Sequence, residues 1–136
     1  MIFVDAGAFI ARFRTADDYH AVAQLAWNKL ERSNRRCFTS NLVIAEAARA
    51  VGRIAGNKVA AEFIRSILNS DVVILRGTPE EEEDAAEMLV KFADQRVGFT
   101  DCVSFAQMKR NRIRHVFGFD RHFQLAGFTL WPGFKK

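Results

Sequence analysis

Residues 1–13 read Met1-Ile2-Phe3-Val4-Asp5-Ala6-Gly7-Ala8-Phe9-Ile10-Ala11-Arg12-Phe13, and this opening decides the fold class. Ile2-Phe3-Val4 is a short apolar run that reads as a strand. Asp5 ends it, and Gly7 to Phe13 takes up a helical spacing. The same alternation of short apolar runs and longer helical periods recurs down the chain. It predicts an α/β domain with a mostly parallel sheet.

Outward from that start, Asp17 and Asp18 are read as capping a helix that runs to about Arg32, with Val22, Leu25, Ala26 and Leu30 on one face. Cys37-Phe38-Thr39 is a second strand. Ser40 or Asn41 caps a helix through about Ile54, and another spans Asn57 to Leu68. Val72 to Leu75 is a third strand. Thr78-Pro79-Glu80-Glu81 starts a helix that reaches about Asp94. Thr78 caps it, Pro79 fits its first turn, and Glu81 completes a capping box. The acids from Glu80 to Asp84 are then a solvated, dipole-favoured helix end rather than a ligand set. Thr100 is read as the cap of a helix to about Asn111. His115-Val116-Phe117 is a fourth strand, Asp120 to Leu125 a helical turn, and Phe128-Thr129-Leu130 a final edge strand.

The 136 residues suit one domain, 1–136, and with 49% hydrophobic residues and 13 phenylalanines the chain can bury a real core. No linker, repeat or low-complexity tract divides it. No apolar run approaches the roughly 20 residues of a membrane span, and no signal peptide is visible, so a cytoplasmic protein is expected. Cys37 and Cys102 have no metal-like spacing and read as free thiols in a reducing compartment. The net charge of +4 is compatible with a polyanionic partner.

Four acids stand out by position. Asp5 directly follows the first strand and Asp120 follows the fourth. Ligand sites in open parallel sheets lie beyond the carboxyl ends of strands, so both stand where a site belongs. Asp101 lies in a first helical turn, where the helix dipole favours a carboxylate. Glu46 is the sole charge in Leu42-Val43-Ile44-Ala45-Glu46-Ala47-Ala48. A buried carboxylate without a partner is costly, so a divalent cation, a salt bridge to Arg49 or plain exposure must answer for it. Singly, each acid also reads as a turn, cap or surface residue; the joint arrangement favours a site.

The segments carrying these acids resemble the PIN-domain family, and especially the toxins of VapBC-type toxin–antitoxin pairs. Ile2 to Ala11 is similar to the family's strand–Asp–small-residue start. Thr39-Ser40-Asn41-Leu42-Val43-Ile44-Ala45-Glu46 resembles its second motif, and Phe99-Thr100-Asp101-Cys102-Val103-Ser104-Phe105-Ala106 its third. Val116-Phe117-Gly118-Phe119-Asp120-Arg121-His122-Phe123, with Ala126-Gly127-Phe128, resembles its fourth. The order and spacing run nearly end to end. One departure is that many members carry Ser or Thr just after the first Asp, whereas here Asp5-Ala6-Gly7-Ala8 offers no hydroxyl. Backbone N–H groups from Ala6 to Ala8 are the available substitutes, and the change bears on catalytic efficiency.

The resemblance implies a three-layer α/β/α fold and an acidic pocket for Mg²⁺ or Mn²⁺, with Asp5, Glu46, Asp101 and Asp120 as catalytic metal ligands. Carboxylate oxygens suit such hard cations, and one or two ions are equally compatible with the residues. The implied activity is endoribonuclease, a metal-activated water hydrolysing RNA phosphodiesters. Thr100 and Ser104 are candidate donors that orient carboxylates. Arg12, Arg49, Arg121 and His122 are candidate contacts to the RNA, whose phosphates basic groups would neutralise. A small cognate antitoxin and a homodimer are the implied protein partners, with Phe9, Phe13, Trp27 and Phe63 as candidate interface aromatics. Two other readings are an RNA-processing nuclease without antitoxin and a degenerate PIN fold that binds RNA or protein without cutting.

Overall fold

The computed structural model describes residues 1–133; residues 134–136 lie outside the described part. Five strands, β1 (Ile2–Val4), β2 (Cys37–Ser40), β3 (Val73–Leu75), β4 (His115–Phe117) and β5 (Thr129–Trp131), form one sheet in the order β3-β2-β1-β4-β5. Every pairing is parallel. β1 is central and its three residues are fully buried, which is why it carries no polar alternation.

Seven helices complete the described fold: α1 (Ala6–Phe13), α2 (His20–Arg32), α3 (Asn41–Ala55), α4 (Asn57–Leu68), α5 (Pro79–Lys91), α6 (Phe99–Arg110) and α7 (His122–Leu125). α1 to α4 pack among themselves, and α5 to α7 form a second group. The chain runs from β1 through β2 to β3 toward one edge, then crosses to β4 and β5 on the other side of β1. With the right-handed crossovers that parallel strands require, this change of direction puts the two helical groups on opposite faces. The expected three-layer α/β/α arrangement results.

The core is aromatic. Phe117 stands beside Trp27 (5.0 Å between ring centroids) and Trp131 (5.5 Å), while Phe105 meets Phe123 edge to face at 5.0 Å. Full burial of each such side chain contributes about 1.5–3 kcal/mol. Trp27 also donates from Nε1 to the Ala8 carbonyl at 3.0 Å, which ties α2 to α1. Phe9 and Trp27 are therefore core residues rather than exposed interface aromatics.

Several boundaries differ from those the sequence suggests. α6 starts at Phe99 with Gly98 as its N-cap, so Thr100 is inside the first turn and is not the cap. β5 begins one residue later than expected. The Phe128 N–H is used on the carbonyl of Phe123 within α7, and the ladder starts with Thr129 N–H on the Arg114 carbonyl. α5 ends at Lys91, short of Asp94.

Candidate active site

The Asp5 backbone N–H donates to the Phe117 carbonyl at 3.0 Å, so Asp5 is the last rung between β1 and β4. That junction is where the strand order reverses, the place an open parallel sheet offers a ligand. Asp120 leaves the end of β4 on the other side of the same crevice. Gly118 separates them. A Cβ on Gly118 would lie 3.0 Å from Asp5 Cβ and 3.4 Å from its Oδ2, so the bare backbone is what gives the Asp5 carboxylate its room. Thr39 Oγ1 donates to the Val4 carbonyl at 2.8 Å and holds the peptide that leads into Asp5.

The other two acids come from helices that start at this end of the sheet. Ser40, fully buried, caps α3 by accepting from Val43 N–H at 3.1 Å. Glu46 lies in the next turn, beside the buried Val43 and Ala47, with its own side chain at the exposed rim. Asp101 is the third residue of α6, and its Oδ2 accepts from Gly98 N–H at 3.4 Å. This contact aligns the helix start and leaves the rest of the carboxylate for the crevice.

Three of the four acids are raised, each in part by a neighbouring carboxylate. Burial pushes Asp5 up to about 8, helped by Asp101 and then by Glu46 and Asp120; the Ala6 N–H opposes this without closing a capping hydrogen bond. Glu46 is raised by partial burial, Asp101 and Asp120, even though its residue as a whole is exposed. Asp101 is raised by burial and by Asp120, and is held down by the Gly98 N–H and by His122. Asp5 Oδ1 is buried and has no hydrogen-bond partner. Asp5, Glu46 and Asp101 are each raised in part by neighbouring acids, and with Asp120 beside them and an orphaned carboxylate oxygen among them they fit a divalent cation, which would relieve the repulsion and give that oxygen a partner.

His122 stands against this group. Its backbone N–H donates to Asp120 Oδ1 at 2.9 Å, and its Nδ1 lies 2.9 Å from the same oxygen. The ring contact has ion-pair distance but lacks hydrogen-bond alignment, which leaves Nδ1 buried and unpartnered. One ligand atom each from Asp101, Asp120 and His122 lie within 4.8 Å of one another.

A profile of the PIN domain family matches residues 2–128. The 23S rRNA-specific endonuclease VapC20 of Mycobacterium tuberculosis is 31% identical over 129 residues, which cover 95% of this chain and 96% of that protein. The chain is a PIN-domain protein of the VapC type. Ribonuclease VapC26 of the same organism is 26% identical over 123 residues, covering 90% of this chain and 89% of the relative. The crystal structure of M. tuberculosis VapC20, described as a sarcin-ricin loop cleaving toxin, superimposes with a TM-score of 0.86 at 29% identity over 95% of this chain and 97% of its own. FitAcB from Neisseria gonorrhoeae, at 17% identity and a TM-score of 0.63 over 96% of each chain, shares the fold.

Within this PIN domain, the four acids selected from sequence come together at the carboxyl end of the sheet. Arg12 does not join them. It pairs with Glu31 at 3.1 Å, lies over the Trp27 ring at 4.8 Å, and lines a cavity of about 790 Å³. That cavity also touches Cys37 and Val72, so it lies toward the strands' amino ends, away from the acids. The expected role of Ser104 as a carboxylate donor is also corrected, because its hydroxyl donates to the Thr100 carbonyl at 3.0 Å. Arg49 and Arg121 are exposed and, among the described residues, form no ion pair, so Arg49 does not compensate Glu46. Gly118 and Thr39 are the positions whose part was not read from sequence. A lone glycine between two phenylalanines, just before an acid-bearing turn, was the available signal.

Proposed function

We propose that this protein is a metal-dependent endoribonuclease, the toxin of a VapBC-type pair, and that Asp5, Glu46, Asp101 and Asp120 hold Mg²⁺ or Mn²⁺. The observation that carries this reading is the buried, unpartnered Asp5 Oδ1 at the sheet's crossover, facing three further acids. When bound, the cation supplies the Lewis acidity and water activation that phosphodiester hydrolysis needs. The chain's own part is positional. Thr39 and the β4 ladder fix Asp5, Gly118 keeps space beside it, and the Gly98 N–H sets Asp101. No hydroxyl follows Asp5 in that turn, and the Ala6 N–H favours the charged carboxylate without closing a capping hydrogen bond to it.

RNA must approach an acidic crevice, and in this reading the exposed Arg49, three residues after Glu46, and Arg121, next to Asp120 in the chain, neutralise its phosphates. Since VapC20 acts on 23S rRNA, ribosomal RNA is the first substrate class to try. No helix among the described residues is long and apolar enough to cross a membrane. A cytoplasmic site of action, a small antitoxin partner and a homodimer belong to the same reading.

The test is cleavage of intact ribosomes and of purified rRNA with Mg²⁺, with Mn²⁺ and with chelator, beside Asp5→Asn and Asp101→Asn. Metal-dependent cutting lost in both variants is the expected result. Cutting that persists in chelator, or in both variants, would remove these acids from the reaction.

A further inference from the structure

Asp120 builds the turn that carries His122. Its Oδ1 accepts the His122 backbone N–H at 2.9 Å, and this local bond fixes where the imidazole starts. The ring then folds back so that Nδ1 stands 2.9 Å from that same oxygen. Nδ1 is buried, yet no hydrogen bond satisfies it. Buried polar atoms are nearly always satisfied, so an orphaned ring nitrogen needs a reason.

The surroundings supply one. Asp5 Oδ1 is a second orphan in the same crevice, on a residue only 6% exposed. Asp101 adds a third donor, within 4.8 Å of the Asp120 and His122 ligand atoms. Adjacent ligands on an octahedral ion with bonds of about 2.1 Å sit about 3 Å apart. The 2.9 Å between Nδ1 and Oδ1 matches neighbouring ligand positions. The other two histidines are engaged elsewhere: His20 Nδ1 is 2.7 Å from the Ala11 carbonyl, and His115 Nδ1 is 2.7 Å from Arg35 Nη2 at the opposite end of the sheet.

We propose that His122 Nδ1 is itself a metal ligand beside Asp101 and Asp120, and that this nitrogen makes the site select Mn²⁺ over Mg²⁺. The inference rests on the reading of the acids as the metal site. Mg²⁺ is held by carboxylates, water and phosphates, with little place for imidazole, whereas transition ions accept mixed nitrogen and oxygen sets. With Nδ1 on the metal, the ring proton is on Nε2, the nitrogen left to face solvent or substrate. His122 thereby belongs to the ion rather than to the RNA.

The experiment is Mn²⁺ titration of the purified full chain followed by electron paramagnetic resonance, with pulsed detection of ¹⁴N coupled to the bound ion. Mn²⁺ and Mg²⁺ affinities are measured alongside for the wild type and for His122→Asn, which retains the backbone N–H to Asp120. Bound Mn²⁺ is expected to show imidazole nitrogen coupling that His122→Asn removes. The same change is expected to lower the ratio of Mn²⁺ to Mg²⁺ affinity by about tenfold or more. Bound Mn²⁺ without nitrogen coupling overturns the proposal and leaves the acids as the metal site. Equal losses for both ions overturn the selectivity. No bound Mn²⁺ overturns both this inference and the acidic site it rests on. Should His122→Asn fail to fold, the wild-type spectrum alone decides the ligand.

Discussion

Asp5 carries the strongest prediction at the scale of single residues. Its carboxyl rises from the ordinary 3.8 to about 8 in the folded chain. Between those values the native state keeps a proton that the unfolded state has released. Stability of the metal-free protein should therefore fall as pH rises from about 4 toward 8, by up to about 1.4 kcal/mol per unit. Melting in chelator at pH 6 and pH 8 checks this, with Asp5→Asn expected to flatten the difference. A wild-type profile as flat as the variant's would contradict the buried, protonated carboxyl. Gly118→Ala tests the space beside Asp5. The new Cβ would meet Asp5 Cβ at 3.0 Å, so metal affinity and cleavage should drop with little change in the far-ultraviolet circular dichroism. Asp5 and Asp120 were legible in sequence because each directly follows a strand. Gly118 and Thr39 were not, because one works by lacking a side chain and the other through a carbonyl on a neighbouring strand. Arg12 was misplaced for a related reason. Proximity in sequence to Asp5 does not survive an intervening helix, whose far end meets Glu31 and Trp27.

At the scale of elements, two helix caps make a matched pair of tests. Ser40 caps α3, which carries Glu46; Thr78 caps α5, which carries none of the four acids. Ser40→Ala and Thr78→Ala should each cost about 1 kcal/mol of stability in denaturant titration. Only Ser40→Ala should also weaken metal binding, because only that cap sets the helix presenting Glu46. Equal effects on metal affinity would separate Glu46 from the site. The Thr78 capping box was readable in full from Thr78-Pro79-Glu80-Glu81, and it forms as expected, with Thr78 N–H on Glu81 Oε1 at 2.9 Å. The start of α6 was less readable. Thr100 and Gly98 have similar capping propensity, and Gly98 takes the position because Asp101, three residues on, accepts its N–H.

At the scale of the whole molecule, the prediction concerns charge. The protein carries a net +4, while its crevice is lined by acids, of which Asp5, Glu46 and Asp101 are raised by burial and by neighbouring carboxylates. RNA affinity should therefore fall steeply with salt, and Arg49→Ala and Arg121→Ala should each reduce the slope of log K against log salt by about 1. Filter binding with Asp5→Asn, to prevent cutting, measures it. An unchanged slope in either variant removes that arginine from the phosphate path. The α/β class followed from alternation alone, whereas the strand order β3-β2-β1-β4-β5 did not, since no local pattern states which strand is a neighbour of which.

That strand order also has a bearing on time. Ile2 pairs on one side with Cys37 and on the other with His115, so one edge of β1 closes early in synthesis and the other only after most of the chain exists. Pairings so distant in sequence are slow to form, because loop closure must precede any contact that rewards it. The Asp5–Phe117 rung, the Gly118 gap and Asp120 all belong to the late edge. The acidic crevice is therefore incomplete until β4 and the turn after it have docked against β1.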